Sequence, residues 1–288
     1  MKKILFEGMY GLGDNIYQRP FLRYYPNSFI RTPWPELYSD LDIHCVRSET
    51  NLRTQRKNED RTDCEYCVPP NGIPRARIFY GPHELGKGGI IDAFRDQFDV
   101  TGPLVFDLPH FEDFHCKIPF NSKIAVLRPG TIRREWASAS RNPEPEYLCI
   151  AANILRDLGF YVISIADTEP GIEWIVEPAP VADLTLHYGE LSITQLCTLF
   201  EYADCVVSPV GFSVPMAIAY DTPLFVIAGG RGGHNAPEIV TDPAMVLDNT
   251  SWAIPDNYCR CTSSSHNCDK TISDFEELFK EWLGEKVL

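Results

Sequence analysis

The chain has 288 residues, 44% of them hydrophobic, 12% aromatic and 23% charged, a composition that excludes disordered, collagen-like and disulfide-miniature proteins. Lys and Arg number 26 against 40 Asp and Glu, a net charge of −14 that argues against a protein gripping nucleic acid non-specifically through its phosphates. The acidity is concentrated late in the chain: residues 1–120 carry 15 basic and 17 acidic side chains, residues 121–288 carry 11 and 23.

The chain opens with an apolar stretch, Lys3–Glu7, then the glycine turn Gly8-Met-Tyr-Gly11-Leu-Gly13-Asp14, then a helix start over Asn15–Tyr24. Strand, glycine turn and helix make a βα unit. From Arg31 to about Phe120 prolines recur, and the expected strands, Ile78–Tyr80 and Leu104–Asp107, are short, so this region reads as irregular and loop-rich. Beyond it Lys123–Arg128 predicts a strand, Glu144–Leu158 a helix and Tyr161–Ala166 a buried strand. The alternation continues through Ser192–Tyr202 (helix), Cys205–Ser208 (strand), Ser213–Tyr220 (helix) and Leu224–Ala228 (strand), and closes on an amphipathic helix, Ser273–Leu283. Strands alternating with helices predict an α/β fold with a parallel, doubly wound sheet. A cut between Phe120 and Lys123 divides the chain into domains of residues 1–120 and 121–288.

Glycines after the first strand let a ligand approach the backbone at the carboxyl end of an α/β sheet. The third glycine position of a dinucleotide fingerprint is Ile16, which argues against a nicotinamide cofactor. Asp14 at the mouth of that turn can accept a proton from an incoming hydroxyl, or can simply cap the helix. Leu127-Arg-Pro-Gly-Thr131, with Arg133, Arg134 and Ser140-Arg141-Asn-Pro-Glu144, forms a hydroxyl- and arginine-rich loop before a helix, suited to a diphosphate. These arginines also balance Glu135, Glu144 and Glu146 on a surface. Val207-Ser-Pro-Val-Gly211-Phe-Ser213 and Ala228-Gly-Gly-Arg-Gly-Gly-His234 then end two successive strands in glycine-containing loops, enough to build a nucleotide crevice.

The order Gly189-Glu-Leu-Ser-Ile-Thr-Gln-Leu, Ala203-Asp-Cys-Val-Val-Ser, Gly211-Phe-Ser, Ala217-Ile-Ala, Asp221-Thr-Pro-Leu-Phe-Val-Ile resembles the C-terminal domain of the heptosyltransferase-like glycosyltransferases, glycosyltransferase family 9. Gly11-Leu-Gly13-Asp14-Asn-Ile-Tyr-Gln-Arg-Pro20 is similar to that family's opening element, and Arg141-Asn-Pro-Glu144 to the entry of its first donor-domain helix. Phe29 to about Phe120 has no match. The resemblance implies a GT-B architecture, two Rossmann-like domains facing across a cleft, with acceptor on the N-terminal domain, nucleotide-diphosphate sugar on the C-terminal domain and no required metal or other cofactor. Carried over by position, Asp14 is the general base and Arg141 replaces a lysine on the donor diphosphate. Gly211 and Ser213 line the donor pocket and Thr131 lies near the phosphates. Where the family has an Asp and a His in the donor loop, this chain has Pro209-Val-Gly211 and Val214, and His234 and Asn235 of the next loop are the candidate substitutes.

The full expected set is Asp14 for catalysis; Thr131, Arg133, Arg141, Gly211, Ser213, His234 and Asn235 for the donor; and Gly11, Gly13, Arg53 and Arg56 for acceptor or phosphate. The acceptor is a saccharide or other small hydroxyl compound. Alternatives are a hydroxylated nucleic-acid base, with the Arg47–Arg77 segment touching phosphates, a catalytically silent nucleotide-binding protein, and a sugar-nucleotide epimerase. The ten cysteines include Cys64-Glu-Tyr-Cys67 and Cys259-Arg-Cys261 with Cys268, which could hold a structural zinc across the two domains. No apolar run approaches the roughly 18–20 residues of a membrane span, and Met1–Glu7 lacks a signal-peptide core, so the chain is expected to be cytoplasmic with reduced thiols.

Overall fold

The computed structural model describes residues 3–138 and 140–288. Its first sheet is four-stranded and parallel. β1 (Leu5–Glu7) leads into α1 (Leu12–Leu22), β2 (Ser28–Arg31) and β3 (Ile43–Val46) follow, and α2 (Arg53–Arg61) crosses to β4 (Arg75–Arg77), before the short α3 (Pro82–Leu85) and α4 (Ile90–Phe98). The strand order is β3-β2-β1-β4, so the winding reverses beside β1. The chain then enters β5 (Ile124–Leu127), β6 (Thr131–Arg133), α5 (Glu146–Asp157), β7 (Tyr161–Ile165), β8 (Glu173–Ile175) and β9 (Leu184–Leu186). It continues through α6 (Ile193–Tyr202), β10 (Cys205–Pro209), α7 (Ser213–Ala219), β11 (Leu224–Ile227), the single turns α8 (Gly232–Asn235) and α9 (Pro237–Val240), β12 (Thr250–Ala253) and α10 (Phe275–Lys286). Six of these strands form a parallel sheet in the order β12-β11-β10-β5-β7-β9, while β6 and β8 pair antiparallel as a small separate ribbon.

The regular second sheet follows from its sequence. β5, β10 and β11 are buried along their whole lengths, as strands covered by helices on both faces must be. Ser192 starts α6 through a capping box, its hydroxyl accepting the Gln195 N–H at 3.1 Å while Gln195 Oε1 accepts the Ser192 N–H at 3.2 Å. α10 buries Phe275, Phe279, Trp282 and Leu283, one face of a helix, against Phe225 of β11.

The stretch before Phe120 is more regular than its prolines suggest, with three strands and three helices between Ser28 and Phe98. The strand expected at Ile78–Tyr80 lies three residues earlier, at Arg75–Arg77, and Leu104–Asp107 forms no strand. α2 escaped detection because RTQRKNEDR has no apolar periodicity. It is seated by polar contacts instead: Asn58 Nδ2 donates to the Pro33 carbonyl at 2.8 Å, and Glu59 accepts from both the backbone and the hydroxyl of Ser48.

A single hydrophobic core joins the two sheets: Ile16, Tyr17 and Phe21 of α1 share one buried cluster with Val214, Ala217 and Ile218 of α7. Tyr17 fastens this contact by donating its hydroxyl to the Val240 carbonyl at 2.7 Å. Among the described residues no helix is long and apolar enough to cross a membrane.

Candidate functional site

Ligands of open α/β sheets bind beyond the carboxyl ends of the strands, where the winding reverses. Here there are two such places and they face each other. In the first sheet the reversal lies between β1 and β4, whose following loops carry Gly11–Asp14 and Tyr80. In the second it lies between β5 and β10, which are followed by Arg128 and by Val210–Phe212. A cavity of about 470 Å³ lies between them, lined by Asp14, Tyr80, Arg128, Arg141, Gly211 and His234 among others.

On the N-terminal wall Asp14 occupies the first turn of α1. The helix is capped by Gly11 without a side-chain hydrogen bond, so Asp14 is not its N-cap. Its carboxylate folds back on the turn, where a Cβ on residue 11 would lie 2.4 Å from Oδ2; only glycine leaves it room. The Tyr80 hydroxyl donates to Asp14 Oδ1 at 2.6 Å. Burial raises the pKa of Asp14 above the ordinary carboxylate value, opposed by the Tyr80 hydrogen bond, the positive charge of Arg141 and the Gly11 N–H. Tyr80 stays protonated, because burial and the adjacent Asp14 hold its phenol well above the usual range. A carboxylate so tuned is a better proton acceptor than a surface aspartate.

The opposite wall carries two guanidinium groups. Arg128 leaves the end of β5 and lies over the Phe212 ring, 5.0 Å from its centroid. Arg141 donates from Nη2 to the Val210 carbonyl at 3.1 Å and lines the cavity. Among the described residues neither has a carboxylate within ion-pair distance. Burial lowers both pKa values, with each repelled by a neighbouring arginine: Arg128 falls to about 10 and Arg141 shifts in the same direction, yet both remain cationic at neutral pH. Two unneutralised guanidiniums at one cavity have the charge and donor geometry to pair with phosphate oxygens.

The other expected residues divide. Gly11, Gly13, Gly211, His234 and Asn235 line the same cavity, and the backbones meet closely there: a Cβ on Gly13 would come within 3.2 Å of Phe212 Cα. His234 Nε2 is buried without a hydrogen-bond partner, and burial together with Arg231 lowers its pKa, so it is neutral and able to serve a ligand. Thr131 and Arg133 also line the cavity but are engaged by Glu173, which accepts from Thr131 Oγ1 at 3.1 Å and from Arg133 Nη2 at 2.6 Å. Ser213 does not line the cavity; it is fully buried at the start of α7, its hydroxyl unpartnered. Arg53 and Arg56 also lie outside the lining. Arg53 is bound to Asp167 at 2.6 Å and Glu169 at 3.0 Å, tying α2 to the C-terminal half, and Arg56 is exposed. Lys57 joins Asp167 at 3.1 Å and Arg61 donates to the Gly189 carbonyl at 2.7 Å.

The cysteine pairs do not converge. Cys67 lies beside Cys45 in the first half, its N–H donating to the Cys45 carbonyl at 2.9 Å, whereas the metal-compatible group among the described residues is Cys259, Cys261, His266 and Cys268, without Cys64 or Cys67. Sequence reading missed Tyr80, Arg128 and Glu173. Arg128 carried a signal, as the residue leaving a buried strand for a glycine loop. Tyr80 carried none, since it reaches Asp14 from 66 residues away.

No protein-family model matches the chain, and no curated protein matches it in sequence. Solved structures do. A glycosyl transferase of family 9 from Veillonella parvula superposes with a TM-score of 0.63 at 10% identity, over 99% of this chain and 98% of that one. The ADP-heptose lipopolysaccharide heptosyltransferase II of E. coli gives 0.58 at 14%, over 97% and 99%. The iron-containing dodecameric glycosyltransferase TibC of enterotoxigenic E. coli gives 0.57 at 13%, over 99% of this chain and 74% of that one. With two parallel α/β sheets meeting across a cavity, the chain has the GT-B fold of these heptosyltransferase-like glycosyltransferases.

Proposed function

We propose that the protein is a glycosyltransferase that moves a sugar from a nucleotide-diphosphate donor to a hydroxyl of a saccharide or other small acceptor. One observation carries the reading: Asp14 on one wall of the cavity opposes the unpaired Arg128 and Arg141 on the other. Asp14 takes the acceptor proton as the acceptor oxygen bonds to the anomeric carbon, and the bond from that carbon to the phosphate oxygen breaks. The departing nucleoside diphosphate keeps the electron pair. Charge grows on the diphosphate as that bond opens, and the two guanidiniums are positioned to stabilise it. Residues 1–120 then provide the acceptor side and residues 121–288 the donor side, with Gly211, His234 and Asn235 toward the donor.

The fold supports a nucleotide sugar as partner, and the ADP-heptose named for heptosyltransferase II is the first donor to try. The Pro209-Val-Gly211 turn lacks acidic and histidine side chains, so hexose donors belong in the same panel. A nucleic-acid acceptor gains no support from the basic segment, where Arg47, Arg53, Lys57 and Arg75 are each held by carboxylates. The test is thermal stabilisation by nucleoside diphosphates and their sugars, followed by a search for transfer with the donor that stabilises. A melting temperature that rises with one base series, and rises less in Arg141→Ala, is expected. No response to any of them would overturn the reading.

A further inference from the structure

The segment joining β12 to α10 brings three thiols and an imidazole together: the ligand atoms of Cys259, Cys261, His266 and Cys268 all lie within 4.8 Å of one another. Cys261 Sγ is 3.6 Å from Cys268 Sγ, Cys259 Sγ is 3.4 Å from His266 Nδ1, and that nitrogen is 3.3 Å from Cys268 Sγ. A tetrahedral zinc ion with its usual bond lengths separates two thiolate ligands by about 3.8 Å and a thiolate from an imidazole nitrogen by about 3.6 Å. Those three edges are within a few tenths of an ångström of that tetrahedron, and the others do not exceed 4.8 Å. A Cys261–Cys268 disulfide would require the sulfurs at about 2.05 Å and would leave Cys259 and His266 crowded together with nothing to hold them. Thiols are weak hydrogen-bonding groups, so three of them around one imidazole gain little from each other. Soft sulfur donors with one imidazole suit zinc.

We propose that Cys259, Cys261, His266 and Cys268 bind one zinc ion, and that this zinc loop braces the two loops that carry Arg141 and His234 into the cavity. The bracing hydrogen bonds all end on backbone carbonyls. Gly232 N–H donates to the Cys259 carbonyl at 2.7 Å and Gly233 N–H to the Cys261 carbonyl at 3.1 Å, directly before His234. Ser140, the residue before Arg141, donates its hydroxyl to the Ser264 carbonyl at 3.1 Å and accepts the Gly230 N–H at 2.8 Å through its own carbonyl. Cys268 packs so tightly on Gly230 that a Cβ there would lie 2.3 Å from its own. Fixing four side chains at a metal therefore fixes the back of the arginine loop and of the histidine turn together.

The proposal stands apart from glycosyl transfer, because its first readout is metal content. Elemental analysis of the full chain, purified without added metal, is expected to find about one zinc per chain. Cys64→Ser/Cys67→Ser should keep it, and Cys261→Ser/Cys268→Ser should lose it. Because the latter variant removes a structural element, the wild type supplies a second measurement. Stripping its metal with a chelator is expected to lower the melting temperature, and adding zinc back to restore it. Wild-type zinc no higher than in Cys261→Ser/Cys268→Ser, iron in place of zinc, or a melting temperature indifferent to chelation would overturn the proposal.

Discussion

Two sets of arginines lie in or beside the cavity wall, and they differ in whether their charge is already matched. Arg128 and Arg141 meet no carboxylate among the described residues, while Arg133 is gripped by Glu173 on the same wall and Arg53 by Asp167 and Glu169 across the junction. An arginine in an ion pair must give up or share its partner before it can bind a phosphate. An unmatched one near other cations repels them until an anion arrives: beyond the effect of burial, Arg141 lowers the pKa of Arg128 and Arg231 that of Arg141. Of the paired set, Arg53 ties the two halves of the molecule together, while the unpaired set faces the cavity. Counting arginines in the sequence cannot separate these jobs, because the carboxylates that decide between them come from distant segments.

Asp14 faces the unpaired set from the opposite wall, and the largest effect is expected there. Asp14→Asn should lower turnover by about a hundred- to ten-thousandfold, the usual worth of a positioned general base, while leaving nucleoside-diphosphate binding intact. Turnover that survives would place the base elsewhere. Next come Arg128→Ala and Arg141→Ala, each removing a charge-assisted contact worth roughly 1.5–3 kcal/mol, so nucleoside-diphosphate affinity by calorimetry should fall about ten- to a hundredfold. Unchanged affinity in both would show that the unmatched charges are not the phosphate site.

The contrast can also be erased from the other side. Glu173→Gln keeps the shape but removes the charge that neutralises Arg133, adding positive potential at the cavity. Nucleoside-diphosphate affinity should rise about fivefold, equivalent to ~1 kcal/mol of added attraction, and the gain should shrink with salt. Arg53→Ala should leave that affinity nearly unchanged. Its measurable cost is in folding stability, about 0.2–1 kcal/mol for a partly exposed pair, also weakening with salt. A drop in nucleotide affinity as large as that of Arg141→Ala would merge the two sets.

Legibility in the sequence followed the same divide between local and distant causes. The strands of the second sheet were readable because burial on both faces makes them plain apolar runs, as in Cys205–Pro209, and its helices because α6 and α10 carry a capping box and a periodic aromatic face. In the first sheet β4 is the exposed run Arg75–Arg77 and α2 is polar throughout, so neither has a hydrophobic signature; their positions come from pairing with β1 and from contacts to Ser48 and Pro33. Asp14 and Arg141 could be picked out because each sits in a glycine- or proline-marked loop after a strand. The same rule applied to Ser213 fails: α7 turns its first side chain into the core, and one residue of phase separates the cavity-lining Phe212 from the buried Ser213.

The smallest expected effect tests how the N-terminal wall sets its charge. Tyr80 donates to Asp14 and favours its ionised form, against the burial that favours the neutral one. Tyr80→Phe removes that donor, so the pKa of Asp14 should rise further. With Asp14 as the proposed base the reaction needs it deprotonated, so kcat/KM should fall as pH drops through this pKa, and the acid limb of the profile should move to higher pH in the variant. A hydrogen bond to a charged group is worth roughly 1.5–3 kcal/mol and one pKa unit corresponds to about 1.4, so the displacement should be about one to two units. Bound diphosphate should move the pKa of Asp14 further up in both proteins, because an anion on Arg141 cancels the positive charge that otherwise helps keep Asp14 ionised. An acid limb that stays in place in Tyr80→Phe would mean that the group titrating in the profile is not Asp14, and the opposition of one carboxylate to two arginines would lose its catalytic meaning.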